Sequence, residues 1–387
     1  MSGQQAEDRV DVAIIGGGII GLLTAWMLRQ RGVSVAVVER GRIGGESSWA
    51  GAGILSPINP WLYPDSFSHL VNHSLALYPA LQAQLIERTG LSSEWRQCGL
   101  LVPHFAEDRV DHTAEALAWS SRFGWPVEHL DRGAARSLEP ALADDVDSAL
   151  CWPKVGQLRN PRLLQAVRRA AELDGVVLRE HCEVLGLLEN GPRVVGLRLA
   201  GNELLHSGNV LLAAGSWSGE FAAMVGMKLP VEPVKGQIVL LRGEPGVLHR
   251  IVKHDAAYFV PRADGHILVG ASLERDGYRR SNTVAVVHAL LDALHRIVPG
   301  LRGLEVEQMW TGFRPGCPDG MPYLGPVPNR PGLWVASGHY RNGVVLAPAT
   351  AEAMADWISG SEPGIDLASF QVGRLPHHVH EALRLPQ

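Results

Sequence analysis

A glycine-rich stretch near the start of the chain limits the possible folds more than any other feature. Asp11 to Ile15 forms an apolar run of strand length, and Gly16-Gly17-Gly18-Ile19-Ile20-Gly21 follows it. A helical stretch continues to about residue 31, and a second β-branched run covers Val33 to Val38. This order of strand, glycine loop, helix and strand predicts a βαβ unit.

The three glycines of the G-x-G-x-x-G pattern have separate physical roles. Gly16 allows the tight turn, Gly18 lets the backbone approach a pyrophosphate, and Gly21 lets the helix pack closely on the strand. The start of the helix offers unpaired N–H groups and the positive end of its dipole to the phosphates. Glu39 ends the second strand, where its carboxylate can accept from ribose hydroxyls. A glycine triplet alone also occurs in plain turns, but this context predicts a dinucleotide site.

Length, composition and charge describe an ordinary globular protein. The chain has 387 residues, of which 46% are hydrophobic and 19% charged, and a chain of this length forms about two or three domains. A net charge of −5 gives no electrostatic reason to expect nucleic acid or an anionic membrane as a partner. The four cysteines are widely separated and form no CxxC or zinc pattern, which argues against disulfides and predicts a cytoplasmic location.

Membrane insertion and metal binding have weaker support. Val12 to Leu28 is apolar enough to mimic a membrane helix, but its acidic, polar flank and four glycines favour a buried strand and helix. We therefore expect no membrane span. The sixteen histidines include no HxxE or HxxxH pair on a convincing site loop. His254 and His339 are expected to make ordinary hydrogen bonds, and no metal site is predicted.

The stretch from residue 39 to residue 57 is rich in glycine and small side chains. One interpretation is an irregular connector. The other is backbone that lies against a large flat ligand, with Ser47 and Ser48 as hydroxyl donors and Gly51 and Gly53 giving close approach.

The remaining chain alternates helical and strand-like segments. Val210 to Ala214 is wholly apolar and is predicted to be a central strand of the first sheet, whereas residues 309–325 are predicted to be a stretch broken by glycine and proline. Helices are predicted at 66–90, near 108–124 and 132–139, at 160–173, at 283–297 and at about 346–358.

These segments predict an α/β fold with two interleaved domains. A doubly wound, Rossmann-like layer binds the dinucleotide, and a mainly antiparallel sheet with helices (an α+β domain) binds the substrate. The predicted segments of the first domain are 1–90, 150–228 and 325–387, and those of the second are 91–149 and 229–324.

Seven motifs, taken in their order and spacing, resemble those of a known enzyme superfamily. They are IIGGGIIG, GGESSWAGAGIL, LLAAGSWSG, PVKGQ, HDAAYFVPR, TGFRPGCPDGMPYLGP and ASGHYRNGVVLAPAT. From about residue 11 to residue 358 the chain resembles the D-amino-acid oxidase and sarcosine oxidase superfamily of FAD enzymes. Within it, the glycine oxidases of thiamine biosynthesis are the most similar group.

The resemblance implies FAD rather than NAD at the glycine loop. Val184 is expected against the adenine, and residues 339–345 at the edge of the flavin ring, where a helix N-terminus would face the charge that accumulates on reduction. Cys317 is a few residues away from the position of a covalent flavin link in sarcosine oxidases, so noncovalent FAD is expected. The implied FAD-binding residues are Gly16, Gly18, Ile19, Ile20, Gly21, Glu39, Arg40, Ser47, Ser48, Ala52, Gly53, Ile54, Val184, Gly215, His339, Tyr340, Arg341, Asn342, Gly343, Val344 and Val345.

The resemblance also implies the residues that act on the substrate. Family members hold an amino-acid carboxylate with an arginine and a tyrosine, which correspond here to Arg314 and Tyr258, and Arg341 matches a further substrate-site position. An arginine fork suits a carboxylate because it binds both oxygens. The alternatives are a salt bridge for Arg314, a half-buried strand tyrosine for Tyr258 and a loop or helix-end contact for Arg341. Lys235 matches a recurrent position for which packing and oxygen activation are both open.

The resulting hypothesis is an FAD-dependent oxidase that deaminates glycine, with sarcosine and small D-amino acids as further substrates. Hydride transfer to flavin N5 would give an imine, which hydrolyses to the oxo acid and ammonia, and dioxygen would yield hydrogen peroxide. Glycine imine would also be a precursor of the thiazole of thiamine.

Several alternatives stay open in the sequence. A D-amino-acid or sarcosine dehydrogenase that passes electrons to a quinone or other carrier is the main one, and a non-catalytic dinucleotide-binding sensor or scaffold is another. Ala256 and Leu273 stand where glycine oxidases can carry histidine and methionine, which leaves the substrate range open. The expected partners are the amino acid and dioxygen, and a homotetramer is expected by analogy only.

Overall fold

The computed structural model describes residues 8–108 and 111–377, and the strands in these ranges form three β-sheets. The helices in chain order are α1 (Ile19–Gln30), α2 (Ser47–Ala50), α3 (Asp65–Thr89), α4 (Thr113–Phe123), α5 (Arg132–Leu138), α6 (Asn160–Leu173), α7 (Ser218–Met224), α8 (Val284–Ile297) and α9 (Ala347–Ile358).

The strands include the pieces that sequence periodicity predicts. In chain order they are β1 (Asp8–Ile15), β2 (Val35–Val38), β3 (Ile54–Leu55), β4 (Arg96–Gln97), β5 (Leu100–His104), β6 (Glu128–Asp131), β7 (Ser148–Trp152), β8 (Gly156–Gln157), β9 (Val177–Arg179), β10 (Val184–Asn190), β11 (Arg193–Leu199), β12 (Leu204–Leu212), β13 (Glu232–Arg242), β14 (Ile251–His254), β15 (Ala257–Pro261), β16 (His266–Gly270), β17 (Glu305–Gly316), β18 (Tyr323–Pro326) and β19 (Leu333–Ser337).

The first sheet has a parallel centre. β1 pairs in parallel with β12 and β2, β2 pairs with β9, and β12 also pairs with β19. The antiparallel strands β10, β11 and β18 extend it. The structure confirms the predicted α/β class and the βαβ unit, and it places the apolar run 210–212 in the middle of the sheet.

Both faces of this sheet are covered, which explains why its strands are apolar throughout. Along β1, Val12 and Ile14 enter one hydrophobic cluster with α1, α3, α6 and α9, whereas Ala13 and Ile15 enter a second cluster on the other face. A parallel strand buried on both sides has no polar face to show in the sequence. In the described part of the chain, no helix combines the length and apolarity needed to cross a bilayer.

The second sheet is mainly antiparallel, with the order β17-β13-β16-β15-β14-β5-β7-β6. Its strands come from segments of the chain that alternate with those of the first sheet, and α8 packs on β13, β15 and β16. A small third sheet, β3-β8-β4, adjoins them. The division of the chain into two domains at the predicted boundaries stays a prediction.

One sequence prediction about this sheet is wrong. Residues 309–325 were expected to be irregular because of their glycines and prolines, but the strand β17 runs from Glu305 to Gly316. β17 is the edge strand, paired only with β13 in the described sheet, and an edge strand tolerates a proline because one side of it needs no ladder hydrogen bonds. Gly312 is required for another reason: a Cβ there would lie 2.6 Å from Ala50 Cβ.

Candidate functional site

A cavity of about 440 Å³ lies where the carboxyl ends of β1, β2, β12 and β19 meet one face of the second sheet. This is the usual place for a ligand in a doubly wound sheet. Of the residues predicted for the site, only Gly21 and Asn342 do not line it. The predicted residues that do are Gly16, Gly18, Ile19, Ile20, Glu39, Arg40, Ser47, Ser48, Ala52, Gly53, Ile54, Val184, Gly215, Tyr258, Arg314, His339, Tyr340, Arg341, Gly343, Val344 and Val345.

The glycine loop forms one wall of the cavity and leaves no room for side chains. Gly16 has a φ of +108°, and a Cβ there would lie 2.5 Å from the Ala213 carbonyl oxygen. A Cβ on Gly21 would lie 2.1 Å from the Gly16 carbonyl oxygen, so Gly21 serves helix–strand packing. Gly18 is the N-cap of α1 and has no side chain to satisfy the first-turn amides, which leaves the helix start suited to an anion.

Glu39 and Ser48 hold this loop in place. The Glu39 carboxylate accepts from Gly17 N at 2.9 Å and from Gly41 N at 2.8 Å. Ser48 Oγ accepts from Ile19 N at 3.0 Å. The sequence predicted both side chains as ligand contacts, and it did not reveal that they also set the shape of the loop. Each carboxylate oxygen and the serine hydroxyl retain capacity for a further hydrogen bond.

Two other predicted ligand contacts face the protein itself. The Ser47 hydroxyl donates to the Phe313 carbonyl on β17. A Cβ on Gly53 would lie 2.0 Å from the Leu158 carbonyl oxygen, so the missing side chain makes room for the backbone. The buried Arg262 holds the same region by donating to Ala52 O at 2.8 Å and Leu158 O at 2.9 Å.

Tyr258 on β15 and Arg314 on β17 meet at the opposite end of the cavity. Glycines on the strands between them provide the space: a Cβ on Gly270 would lie 2.6 Å from the Tyr258 hydroxyl, and a Cβ on Gly236 would lie 2.5 Å from Arg314 Nη1. Arg314 donates to the Ser272 carbonyl at 3.0 Å. No ion pair joins Arg314 to a carboxylate among the described residues, so the salt-bridge alternative for Arg314 has no support.

Burial and proximity control the charges of this pair. Burial raises the pKa of the Tyr258 hydroxyl above its usual range, and the adjacent Arg314 guanidinium partly opposes that shift. Burial lowers the pKa of Arg314, and Tyr258 opposes that shift. An arginine remains charged in proteins, so the site presents a neutral hydroxyl donor beside a cationic fork.

The loop before α9 closes the cavity from the first sheet. Tyr340 is buried with a φ of +49°, and its amide donates to Pro315 O at 3.0 Å. His339 Nε2 lies 3.1 Å from Thr350 Oγ1, and burial lowers the pKa of His339 to about 3, so the ring is neutral. Arg341 Nε is buried without a hydrogen-bond partner in the described chain, which leaves this donor available.

Lys235 and Cys317, whose roles the sequence left undecided, do not line the cavity. Lys235 is fully buried and pairs with Glu274 at 3.1 Å and Asp276 at 2.8 Å, which favours packing over oxygen activation. Cys317 Sγ is buried beside the Gly338 and Met321 carbonyls. Burial raises the pKa of its thiol, and the Asp319 carboxylate adds to the shift. A thiol in this environment is a poor candidate for a covalent flavin link.

The sequence did not reveal Lys253, which also lines the cavity. Lys253 lies directly opposite Tyr258 in the hairpin of β14 and β15. The turn is Asp255-Ala256, with Asp255 at a φ of +48°. Two strands joined by two residues are a hairpin signal, but Asn-Gly or Asp-Gly is the usual turn sequence. The unusual turn therefore hid the register that joins Lys253 to the site.

Comparison with known proteins gives a consistent family assignment. A family model described as FAD dependent oxidoreductase (DAO) matches residues 11–357. The chain is 41% identical over 360 residues to the glycine oxidase of Pseudomonas putida, across 93% of this chain and 97% of that protein. It is 34% identical over 370 residues to the bifunctional protein ThiO/ThiG of Nostoc sp., across 94% of this chain and 55% of that protein. The crystal structure of glycine oxidase from Geobacillus kaustophilus matches with a TM-score of 0.91 at 34% identity, covering 96% of this chain and 100% of that one.

Proposed function

This chain belongs to the DAO family of FAD-dependent oxidoreductases, and from that premise we propose that it is an oxidase that deaminates glycine to glyoxylate, ammonia and hydrogen peroxide. Sarcosine and small D-amino acids are proposed as further substrates. One observation supports the proposal above the others. A single cavity joins a dinucleotide-binding glycine loop to an arginine and a tyrosine that are positioned to hold a carboxylate.

FAD is the cofactor, and the residues present fit it. At one end, Gly16 and Gly21 stand where a Cβ would collide with backbone, and the start of α1, with a glycine as its N-cap, opens on the cavity. At the other end, the loop from His339 to Val345 precedes the N-terminus of α9. We propose that α1 holds the pyrophosphate, Glu39 the ribose and Val184 the adenine, and that the loop before α9 faces the flavin ring. The binding is noncovalent.

The substrate-binding residues act by orientation. The Arg314 guanidinium would hold both oxygens of the carboxylate, and the Tyr258 hydroxyl would donate a further hydrogen bond to the same carboxylate. Because both side chains come from rigid strands of one sheet, the α-carbon would be fixed at one distance and angle to the cofactor. Such positioning accounts for much of the barrier reduction in reactions of this kind.

The charges of the cavity also select the reactive form of the amine. Arg314, Arg341 and Lys253 all line it, and positive neighbours disfavour a bound ammonium relative to the neutral amine. No protein base is therefore required to remove the amine proton. A bound flavin would supply the acceptor for a hydride from the substrate α-carbon and the route for its electrons to dioxygen.

Further parts of the proposal concern the setting of the reaction. A cytoplasmic location is supported by the four free cysteines, two of which are partly exposed. A role in making glycine imine for the thiazole of thiamine is supported by the similarity to ThiO/ThiG. We propose that the segments of the first sheet bind the cofactor and those of the second bind the substrate. A homotetramer is proposed by analogy with the family alone.

The test is made on purified yellow enzyme with air excluded. Glycine is added, the visible flavin absorbance is followed, and air is then admitted while peroxide is assayed. We expect glycine to bleach the flavin and air to restore the colour with peroxide release. Arg314→Ala should retain FAD but lose at least about a thousandfold in the rate of bleaching, since two hydrogen bonds to a charged group are removed.

Each other result would contradict a different part of the proposal. Bleaching by D-alanine or sarcosine but not by glycine would change the substrate. Bleaching that air does not reverse would favour the dehydrogenase alternative, which the oxidase names of the relatives do not favour. A protein that binds FAD but is bleached by no amino acid would favour the non-catalytic alternative.

A further inference from the structure

The end of the cavity that contains Tyr258 and Arg314 has more basic side chains than one amino-acid carboxylate would neutralise. Arg314, Arg341 and Lys253 line it, and within residues 8–108 and 111–377 none of them forms an ion pair with an acidic side chain. Arg314 donates to a backbone carbonyl, and Arg341 makes a long contact of 3.4 Å with the Tyr340 hydroxyl. A glycine carboxylate held by Arg314 and Tyr258 would leave Lys253 without an anionic partner.

The sheet register points Lys253 toward the bound carboxylate. Lys253 pairs with Tyr258, and Tyr258 pairs with Gly270 on the next strand. Cross-strand partners share one face of a sheet, with their Cβ atoms about 5 Å apart. The Lys253 side chain therefore extends from the same face as the Tyr258 hydroxyl, and Gly270 contributes no side chain between them and the cavity.

The groups around Lys253 do not neutralise it. Its Nζ lies 3.5 Å from Asn59 Oδ1, which is the limit of a hydrogen bond. Asp255 is the nearest acid in sequence, but its side chain is 91% exposed and its carboxylate lies 3.8 Å from His254 Nδ1. Burial lowers the pKa of the Lys253 ammonium to about 8, with Asp255 opposing the shift and Arg341 adding to it. At neutral pH the ammonium is therefore a partly desolvated cation, and an anion beside it would be stabilised.

The fully buried Lys235 shows what a structural role requires of a lysine in this protein. The chain has four lysines, and Lys235 is enclosed by the carboxylates of Glu274 and Asp276. Lys253 has no comparable pair in the part of the chain that the structure describes. A charge kept in a cavity without a partner costs stability, which is consistent with a group that meets its partner in a ligand.

We propose that Lys253 forms a subsite for a second acidic group on the substrate, so that the enzyme accepts short amino acids that carry a further carboxylate. This inference rests on the proposed function, since Arg314 and Tyr258 must hold the first carboxylate. Ala256 and Leu273 line the same region with short or flexible apolar side chains, which leaves space for the longer substrate. D-Aspartate and N-carboxymethylglycine are members of this class.

The first test measures binding without turnover. Succinate and propionate, which differ by one carboxylate, are titrated into the yellow holoenzyme, and dissociation constants are obtained from the change in flavin absorbance at constant ionic strength. We expect wild type to bind succinate at least tenfold more tightly than propionate. Lys253→Met should remove this preference, and Lys253→Arg should retain part of it because the charge remains. The matched control is Lys228→Met, since Lys228 is exposed and does not line the cavity.

The second test compares kcat/KM for D-aspartate and D-alanine in the same variants. Lys253→Met should lower the ratio of the two values at least tenfold, whereas Lys228→Met should preserve it. The proposal is overturned if wild type shows no preference for succinate, or if the preference survives in Lys253→Met. It is also overturned if Lys253→Met lowers kcat/KM for D-aspartate and D-alanine by the same factor, because Lys253 would then act on the amine, which both substrates carry. These outcomes are separate from a failure of glycine to bleach the flavin, which would reject the oxidase function while leaving the carboxylate titrations interpretable.

Discussion

Two side chains in the cavity, Arg314 and Tyr258, can take their positions because glycines lie next to them. Arg314 can extend toward the substrate end because Gly236 has no side chain, and Tyr258 because Gly270 has none. A glycine within an antiparallel sheet weakens the strand. Its presence at these two positions is therefore explained by the space that the Arg314 and Tyr258 side chains need.

This relation gives a prediction at Gly236. Gly236→Ala would place a Cβ within 2.5 Å of Arg314 Nη1 and 2.7 Å of Arg314 Cζ, so the guanidinium must move away from the bound carboxylate. We expect KM for glycine to rise at least about tenfold, the loss of one charged hydrogen bond, while FAD remains bound. Steady-state peroxide kinetics and the flavin spectrum measure the two effects.

The control for this variant is Gly303→Ala, because an added Cβ at Gly303 meets nothing within 4 Å. That variant should have the wild-type KM. An unchanged KM in Gly236→Ala would mean that Arg314 does not hold the substrate from its observed position.

Residue types predicted which residues line the cavity better than they predicted what those residues contact. Glu39, Ser47, Ser48 and Gly53 were predicted along the ligand, and all four line the cavity. Ser47 nevertheless donates to a strand of the second sheet, and Gly53 gives space to the Leu158 carbonyl. A single sequence shows that a small or polar residue is needed at a position. It does not show whether the ligand or the protein's own backbone imposes the need.

At the scale of whole elements, the sequence predicted best where one hydrophobic period continues without interruption. The helices α3, α6, α8 and α9 begin and end within a residue or two of their predicted limits. β17 was missed because its glycines and prolines resemble a loop, and the β14–β15 hairpin was missed because its turn is Asp-Ala. The second error hid Lys253, which lines the cavity, since the pairing between strands cannot be read from local periodicity.

His339, in the loop before α9, gives a prediction about how the free energy of unfolding depends on pH. The folded protein keeps His339 neutral because its pKa is about 3, whereas the unfolded chain binds a proton near pH 6.5. Stability is therefore lost as pH falls below about 6.5, and the loss continues toward pH 3. For one such histidine the free energy of unfolding falls by about 2 kcal/mol between pH 7.5 and pH 5.

His339→Gln should remove this part of the pH dependence. Urea unfolding at pH 7.5, 6.5 and 5.0 gives the free energy of unfolding, which is plotted against pH for wild type and variant. The difference between the two slopes measures the contribution of His339, because the other titrating groups cancel. His288→Gln is the matched control because the His288 side chain is 73% exposed, and it should keep the wild-type slope. Parallel slopes for wild type and His339→Gln would contradict the prediction.

At the scale of the molecule, a buried charge ties the second sheet to the small third sheet and to the loop residues beside the cavity. Arg262 follows β15 in the second sheet, and its guanidinium donates to Ala52 O, to Leu158 O and to Gln157 Oε1 at 2.6 Å. No acidic side chain pairs with it among the described residues, and burial lowers the pKa of Arg262 to about 10. Backbone and amide oxygens of the loop therefore solvate this cation in place of water.

Arg262→Met should consequently loosen the junction between the second sheet and the small third sheet. The variant leaves buried acceptors without donors, and we expect the free energy of unfolding to fall by about 3 kcal/mol. FAD should also bind more weakly because Ala52, Gly53 and Ile54 line its site. Urea unfolding and FAD fluorescence titration measure these effects.

Arg242→Met provides the comparison for Arg262→Met. Arg242 is an exposed arginine of the same sheet that pairs with Glu307, and surface pairs contribute little to stability. Equal stability losses in the two variants would show that Arg262 is not specially required.

The global arrangement was predicted from the succession of motifs along the chain. Local pattern predicted two kinds of sheet and their alternating segments, and the resemblance supplied the cofactor and the pair proposed to bind the substrate. Neither could supply Lys253, whose position depends on a hairpin register, nor the links made by Arg262, which join residues far apart in sequence. Such contacts exist only once both sheets are packed.

The pairing of β12 with both β1 and β19 has a consequence for synthesis of the protein. β19 and the loop to Val345 lie far along the chain from β1, yet they complete the wall around a pocket begun by residues 11–21. A nascent chain that ends before residue 333 lacks that wall, however well its first strands have formed. Capture of the cofactor must therefore wait until residues through Val345 have been synthesised, and until then the incomplete pocket exposes apolar strand edges that a chaperone would have to shield.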